Sequence, residues 1–364
     1  MNSKKVVFYI SSLAKGGAQR VILNLTESLL SKGYRVVLVT TSQVENEYEL
    51  PQKAKRIISD IQGNEISSGR IRNLRNRFKK LRNIWKKEQP DIIISFIGKN
   101  NFMAILTALG LKIPVLVSVR GEPREEYYNG FLRFLARYLF RLAAGIILQT
   151  NQSKDFFPKK TLEKAVVLPN PLNPVFLEEL SEKPKEKKIV LVGRIDGNKN
   201  PKLAVEAFSR IYTNFPEYRM EIWGEGEDFQ KVSDFIKELG MEDRIKLCGA
   251  TNRVKEKLET AELYILPSNT EGMPNSLMEA MALGIAVIST DCPCGGPAEL
   301  ITSGEDGILV PVKDVEAMAK AMEDVLNKRE FREQLGINAL KIRERLHPDK
   351  VNAAWEEYLS SFIR

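Results

Sequence analysis

The chain has 364 residues, enough for two domains of ordinary size. With 43% hydrophobic and 28% charged residues its composition is globular and excludes a disordered or fibrous protein. The net charge of +8 is unevenly divided: residues 1–167 carry 29 Lys and Arg against 13 Asp and Glu, a surplus of +16, whereas residues 168–364 carry 26 against 34 and sum to −8. Such a split points to two domains with different partners.

Short β-branched runs alternate with helical patterns from the start, the signature of parallel sheets covered by helices. In the first half, strands are expected near Val6–Ile10, Arg35–Thr41, Ile92–Phe96, Val115–Val119, Ile146–Gln149 and Val166–Leu168. A helix from about Gln19 to Lys32 is stopped by Gly33 as a left-handed cap. The stretch Arg70 to Lys87 holds nine Lys or Arg and no acid, with Ile71, Leu74, Phe78, Leu81 and Trp85 spaced three and four apart. It reads as a basic amphipathic helix. A second follows at Phe131 to Leu142, where Phe131, Leu135, Leu139 and Leu142 alternate with Arg133, Arg137 and Arg141. Pro169 to Lys188, rich in proline and charge, reads as the linker between the halves.

The second half restarts the alternation. Strands are expected near Ile189–Val192, Met220–Trp223, Ile245–Leu247, Leu263–Leu266, Ala286–Ser289 and Ile308–Val310. Helices are expected at about Pro201–Phe215, Phe229–Leu239, Ser276–Leu283, Val315–Asn327 and Glu330–Leu346, with Asn200 capping the first. A last amphipathic segment, Asp349 to Ile363, has no strand after it. Two Rossmann-like units facing across a cleft are the economical architecture, with ligands at the carboxyl ends of the strands.

Several classes are disfavoured by what is missing. No uncharged apolar run reaches the roughly 20 residues needed to cross a bilayer; the longest candidate, Asn100 to Val119, contains Lys112 and Pro114. The N-terminus lacks a leader-like cleavage site, so the cytoplasm is the expected compartment. The three cysteines (Cys248, Cys292, Cys294) and the sole histidine, His347, argue against a disulfide framework, a histidine-based catalytic centre or a zinc site. The pair Cys292 and Cys294 reads as part of a structural loop. Nucleic acid would answer to the basic half, but no recognition module accompanies the charge. An anionic lipid surface would answer to it as well.

Three loops carry the candidate chemistry. The first, residues 11–18, contains Gly16 and Gly17 between a strand and a helix, where backbone N–H groups can approach an anion. The second, residues 193–200, presents Arg194 and Lys199 just before a helix start, a pairing suited to a diphosphate. The third, residues 267–280, places Glu271 in a loop and Glu279 in the first turn of the next helix, with the N–H groups of Asn275, Ser276 and Leu277 as donors. Two carboxylates beside an anion site favour a ligand that carries sugar hydroxyls as well as phosphate.

Taken together, Gly193-Arg194-x₄-Lys199, the turn Gly224-Glu225-Gly226 and Glu271-Gly272-x-Pro274-x₄-Glu279 resemble the retaining GT-B glycosyltransferases of family 4. The run Thr290 to Glu299 is similar to the bacterial branch that builds capsular, O-antigen-type or lipid-linked oligosaccharides. The resemblance implies a hexose or N-acetylhexosamine donated by a nucleotide-sugar, with UDP the expected nucleotide, to a polyprenyl-diphosphate-linked saccharide. It also implies catalytic roles for Arg194, Lys199 and Glu271. Donor binding would fall to Gly16, Gly17, Gly193, Gly224, Gly272, Met273, Asn275, Ser276, Leu277 and Glu279. Residues 1–168 would form the acceptor domain and 169–348 the donor domain, with 349–364 crossing back to the first.

In one place the chain departs from the pattern. Many members carry a histidine after the strand corresponding to Val115–Val119, where this sequence reads Val119-Arg120-Gly121-Glu122. Arg120 and Glu122 become the acceptor-side candidates. With no Asp-x-Asp motif, no obligatory metal or other cofactor is implied. The rival readings are a GT-B-shaped sugar-nucleotide epimerase and a non-catalytic binder of anionic surfaces. The binder alone would tolerate Glu271→Ala and Lys199→Ala.

Overall fold

The computed structural model describes residues 3–66 and 68–363. The chain divides into two compact units, Met1–Pro171 with Asp349–Arg364, and Leu172–Pro348. The change of unit falls at Pro171/Leu172, inside the proline-rich stretch, and the final segment belongs to the first unit.

The first unit is built on strands β1 (Lys5–Ile10), β2 (Arg35–Thr40), β3 (Lys55–Ile58), β4 (Ile92–Phe96), β5 (Val115–Ser118), β6 (Gly145–Leu148) and β7 (Ala165–Val167). They form one parallel sheet in the order β3-β2-β1-β4-β5-β6-β7. Because side chains alternate along a strand, a doubly covered sheet needs apolar residues at nearly every position. The runs Val6–Ile10 and Ile92–Ile94 supply them and are almost completely buried. The connecting helices are α1 (Gly17–Ser31), α2 (Arg70–Glu88), α3 (Lys99–Ala108), α4 (Pro123–Glu126), α5 (Gly130–Leu139) and α6 (Lys159–Leu162). α3 packs against both α2 and α5. Residues of all three join Val7, Ile93, Val117 and Ile146 in one core cluster, so they share a sheet face.

The second unit repeats the plan with β8 (Glu186–Val192), β9 (Arg219–Trp223), β10 (Ile245–Gly249), β11 (Ala261–Leu266), β12 (Ala286–Thr290) and β13 (Ile308–Val310), parallel in the order β10-β9-β8-β11-β12-β13. Its helices are α7 (Pro201–Ile211), α8 (Phe229–Glu238), α9 (Val254–Glu259), α10 (Asn275–Ala282), α11 (Gly296–Leu300), α12 (Val315–Asn327), α13 (Arg329–Ala339) and α14 (Ile342–Arg345). The closing helix α15 (Pro348–Ser360) sets Trp355 against Phe96 of β4, with ring centroids 6.3 Å apart.

The differences from expectation are local. β3 is an edge strand of four residues with only partial burial, too short and too charged to give a period-two signal. The helix expected over Glu330–Leu346 is two, α13 and α14. Asn200 holds the cap position before Pro201 in a left-handed conformation (φ 46°) and makes no side-chain cap bond. Its loop is closed instead by Asp196, whose Oδ1 accepts from the N–H groups of Asn198 at 3.1 Å and Lys199 at 2.8 Å. The apolar stripe of α2 is only half used: Leu81 and Trp85 are buried, whereas Ile71 and Leu74 are 86% and 57% exposed. Gly33 follows α1 in the left-handed region, as its sequence position predicts.

Candidate active site

In the second unit the site gathers at the carboxyl ends of β8 and β11, on the two strands at the middle of the sheet. The loop after β8 turns at Gly193, whose N–H donates to Trp223 O at 3.0 Å. Gly224 is required opposite it. Its φ is 151°, and a Cβ there would sit 1.8 Å from the Gly193 carbonyl oxygen. The Lys199 side chain lies over the turn, its Cε 3.6 Å from where a Cβ on Gly193 would sit. Arg194 and Lys199 line one small cavity together with Gly193, Leu266 and Pro267.

Lys199 Nζ donates to Glu271 Oε1 at 2.5 Å, and Ser268 Oγ donates to the same oxygen at 2.6 Å. The Glu271 side chain is about nine-tenths buried and that of Lys199 about four-fifths. An ion pair this enclosed is screened little by salt, so the cation and the carboxylate hold each other in place. Arg194 is different: its side chain is 74% exposed, and Nη2 lies 3.2 Å from Asp196 Oδ2 of its own loop.

One residue ties the two loops together. Asn198 Nδ2 donates to Thr270 O at 3.1 Å, while its Oδ1 accepts from Thr270 N at 3.0 Å and Thr270 Oγ1 at 2.9 Å. Asn269 N adds a bond to Asn198 O at 2.7 Å. Neither Asn198 nor Ser268 was singled out from sequence. The available signal was an amide two residues after Asp196, in a loop that must meet another loop.

Glu271 is held from behind by residues 292–296. Its N–H donates to Pro293 O at 2.6 Å, and its carbonyl accepts from Cys294 N at 3.1 Å. Cys292 and Cys294 are buried, and Cys294 Sγ lies 3.4 Å from the Glu271 carbonyl oxygen. Burial pushes the Cys292 thiol up to about 12, with the nearby Glu271 charge acting in the same direction, so it stays protonated at neutral pH.

Glu279 lies in the second turn of α10 rather than the first, because the helix starts at Asn275. That removes the helix-dipole explanation for this carboxylate, which is 3% exposed. Burial raises the Tyr264 phenol, with the charges of Glu271 and Glu279 acting in the same direction. Tyr264 OH donates to Ser276 Oγ at 2.7 Å. Gly272 and Leu277 are buried, while Met273, Asn275 and Ser276 are half-buried. Leu277 therefore has only its backbone to offer a ligand.

The remaining candidates lie in the first unit. Gly16 caps α1 with extended backbone, and Gly17 is the first residue of that helix. Their loop is fixed by Glu47, unforeseen from sequence, whose Oε1 accepts from Leu13 N at 3.1 Å and Val44 N at 3.2 Å. Arg56 Nη1 closes on Glu47 Oε2 at 2.5 Å.

Arg120 lies over the rings of Phe96 and Trp355, 5.6 and 5.9 Å from their centres, and donates through Nη2 to Asn170 Oδ1. Part of the residue reaches solvent, but its Nε is enclosed without a partner among the described residues. Burial draws the guanidinium down to about 9, partly opposed by Glu126, and leaves it charged at neutral pH. Glu126, also unforeseen, accepts from Gly98 N at 2.6 Å and Arg120 N at 3.3 Å. Glu122 serves as the N-cap of α4, accepting from Arg124 N at 3.0 Å.

Two Rossmann-like parallel-sheet domains, the second with the Lys199–Glu271 pair at its strand ends, are the domains of a GT-B glycosyltransferase. Residues 15–176 match Glycosyltransferase Family 4 and residues 175–342 match Glycosyl transferases group 1. The chain belongs to the family 4 glycosyltransferases.

Among similar proteins is a Campylobacter jejuni α-1,4-N-acetyl-D-galactosaminyltransferase whose name gives its acceptor as GalNAc-α-(1→4)-GalNAc-α-(1→3)-diNAcBac-PP-undecaprenol. It is 29% identical, over 98% of this chain and 97% of its own length. An N-acetylgalactosamine-N,N'-diacetylbacillosaminyl-diphospho-undecaprenol 4-α-N-acetylgalactosaminyltransferase from the same organism is 27% identical, over 96% and 97%. In fold, the chain is similar to Anabaena HepE crystallised with UDP-glucose, with a TM-score of 0.83 at 17% identity, over 98% of this chain and 99% of that one. Sucrose-phosphate synthase from Thermosynechococcus elongatus gives 0.81 at 17%, over 98% of each.

Proposed function

We propose that this glycosyltransferase is a retaining enzyme that transfers a hexose or N-acetylhexosamine from a UDP-sugar to a saccharide carried on a polyprenyl diphosphate, in the assembly of a bacterial surface glycan. The observation that carries the reading is the enclosed Lys199–Glu271 pair, whose lysine shares a cavity with Arg194. Departure of a nucleoside diphosphate builds negative charge on its β-phosphate. Lys199, Arg194 and the N-terminus of α10 are donors suited to meet that charge. In the same reading Glu271 exchanges part of its bond to Lys199 for hydroxyls of the transferred sugar, Glu279 takes the ribose hydroxyls, and the backbone of residues 272–277 contacts sugar and phosphate.

Gly16, Gly17, Arg120 and Glu122 serve the reacting centre and the acceptor. The protein's own cations stabilise the leaving group, so the reading assigns no obligatory metal. The similarity to two transferases named for undecaprenyl-diphosphate acceptors supports the acceptor class. The enzyme then works in the cytoplasm at the inner face of the plasma membrane, with its basic unit drawn to anionic headgroups.

A donor screen tests this. Nucleotide release is measured across a panel of sugar nucleotides with polyprenyl-diphosphate-linked saccharides, and the anomeric configuration of the product is read by NMR. UDP released only when a lipid-linked acceptor is present, with an α-linked product from an α-linked donor, is the expected result. An inverted product, or no release from any sugar nucleotide, refutes it.

A further inference from the structure

The aromatic residues on the outside of α5 lie apart from the core cluster of the first unit. Leu132 and Ala136 bury that helix against the first unit's core. Phe131, Phe134 and Tyr138, at spacings of three and four, form a second apolar face that is 69%, 57% and 47% exposed, and Leu142 extends it at 58%. Sequence periodicity groups Phe131 and Leu142 with Leu135 and Leu139 in one stripe. In the structure Phe131 and Leu142 are exposed, so the helix is apolar on two faces.

A surface strip of three aromatic rings and a leucine is unfavourable in water, and such patches mark binding surfaces. Its border is cationic. Arg133, Arg137 and Arg141 recur every four residues, and no acid occurs between Glu126 and Asp155. Arg133 Nε donates to Tyr127 O at 3.1 Å and Arg137 Nε to Phe156 O at 2.8 Å, bonds to neutral carbonyls that fix the guanidiniums and leave their charge uncompensated. Arg141 stacks on Tyr138, 4.9 Å from the ring centre. On the same sheet face, beyond α3, α2 adds its own cations with Ile71 and Leu74 exposed among them.

We infer that this face is a lipid-docking surface: α5 lies along an anionic bilayer with Phe131, Phe134, Tyr138 and Leu142 in the headgroup–acyl boundary. The chemistry fits that occupant best. Aromatic rings rest at the membrane–water interface, and arginines beside them pair with lipid phosphates. A second copy would bring one cationic rim against another. The inference deepens the acceptor side of the proposed function, since a polyprenyl carrier lies in such a surface, but it stands on residues outside the candidate site.

The test uses the full chain and vesicles of phosphatidylcholine alone or with phosphatidylglycerol. Sedimentation is expected with the anionic vesicles and to survive salt in part, because ring burial is not screened. Phe131→Ser with Phe134→Ser is expected to weaken partitioning roughly tenfold or more. Transfer to a short water-soluble acceptor stays at the parent rate, and that assay, not vesicle binding, decides the transferase reading. Phe134→Trp, which keeps the face apolar, is expected to shift its emission to the blue on anionic vesicles and to be quenched by brominated acyl chains. Equal sedimentation of the serine variant and the parent overturns the inference. So does tryptophan emission unchanged by lipid, and so does a dimer seen by light scattering that the serines dissociate.

Discussion

Lys199 and Glu271 are 72 positions apart in the chain and 2.5 Å apart in space. Replacing Lys199 by Ala frees an enclosed carboxylate and, under the proposed function, removes a donor to the departing phosphate. Turnover is expected to fall about 10²–10³-fold, measured as nucleotide release under saturating donor. Asn198 touches neither group yet sets their separation through four bonds to residues 269 and 270. Asn198→Ala is expected to lower kcat roughly 10- to 100-fold while KM for the donor changes less, since reacting groups are misplaced rather than removed. A purely structural role would instead lower the melting temperature and leave kcat of the folded fraction intact.

Among elements, the segment from β12 through α11 is the least obvious support of the site. It wraps behind Glu271, and α11 begins where backbone meets backbone: a Cβ on Gly296 would lie 1.5 Å from Gly272 O. Gly296→Ala must therefore push the Glu271 loop away or displace α11. A loss of about 2 kcal/mol or more in urea unfolding is expected, together with loss of transfer. α10 contributes differently. Starting at Asn275 with Pro274 before it, it leaves its N-terminus without a side-chain cap and carries Glu279 one turn deeper, among buried residues.

The whole molecule couples its charge to its stability. In the first unit, where cations dominate, the Glu47 carboxylate is held by several donors at once. Arg56 hydrogen-bonds Glu47, and this holds the Glu47 carboxyl below its ordinary value, aided by the N–H groups of Leu13 and Val44. A carboxyl with a lowered folded pKa stabilises at pH above its unfolded value, and the gain disappears as pH falls through the folded one. Glu47→Gln is accordingly expected to be less stable than the parent at neutral pH in denaturant titrations. The gap should narrow as pH is lowered through the ordinary carboxylate range and beyond. A constant gap would show that the side chain acts by packing alone.

What the sequence determined by itself is the repeated strand–helix alternation, the two halves of opposite charge and the loops that bear Arg194, Lys199, Glu271 and Glu279. These are legible because a doubly covered parallel strand must be apolar at nearly every position, and because glycine and proline mark the turns at strand ends. Only the tertiary structure decided which groups meet. Asn198 reaching Thr270, Glu126 accepting from Arg120 N and Glu47 locked by Arg56 are contacts that involve irregular segments, with no periodicity to announce them. The same limit explains α5 and α2: spacing shows that a helix has an apolar stripe, but whether that stripe faces a core or the solvent depends on what the rest of the chain sets beside it.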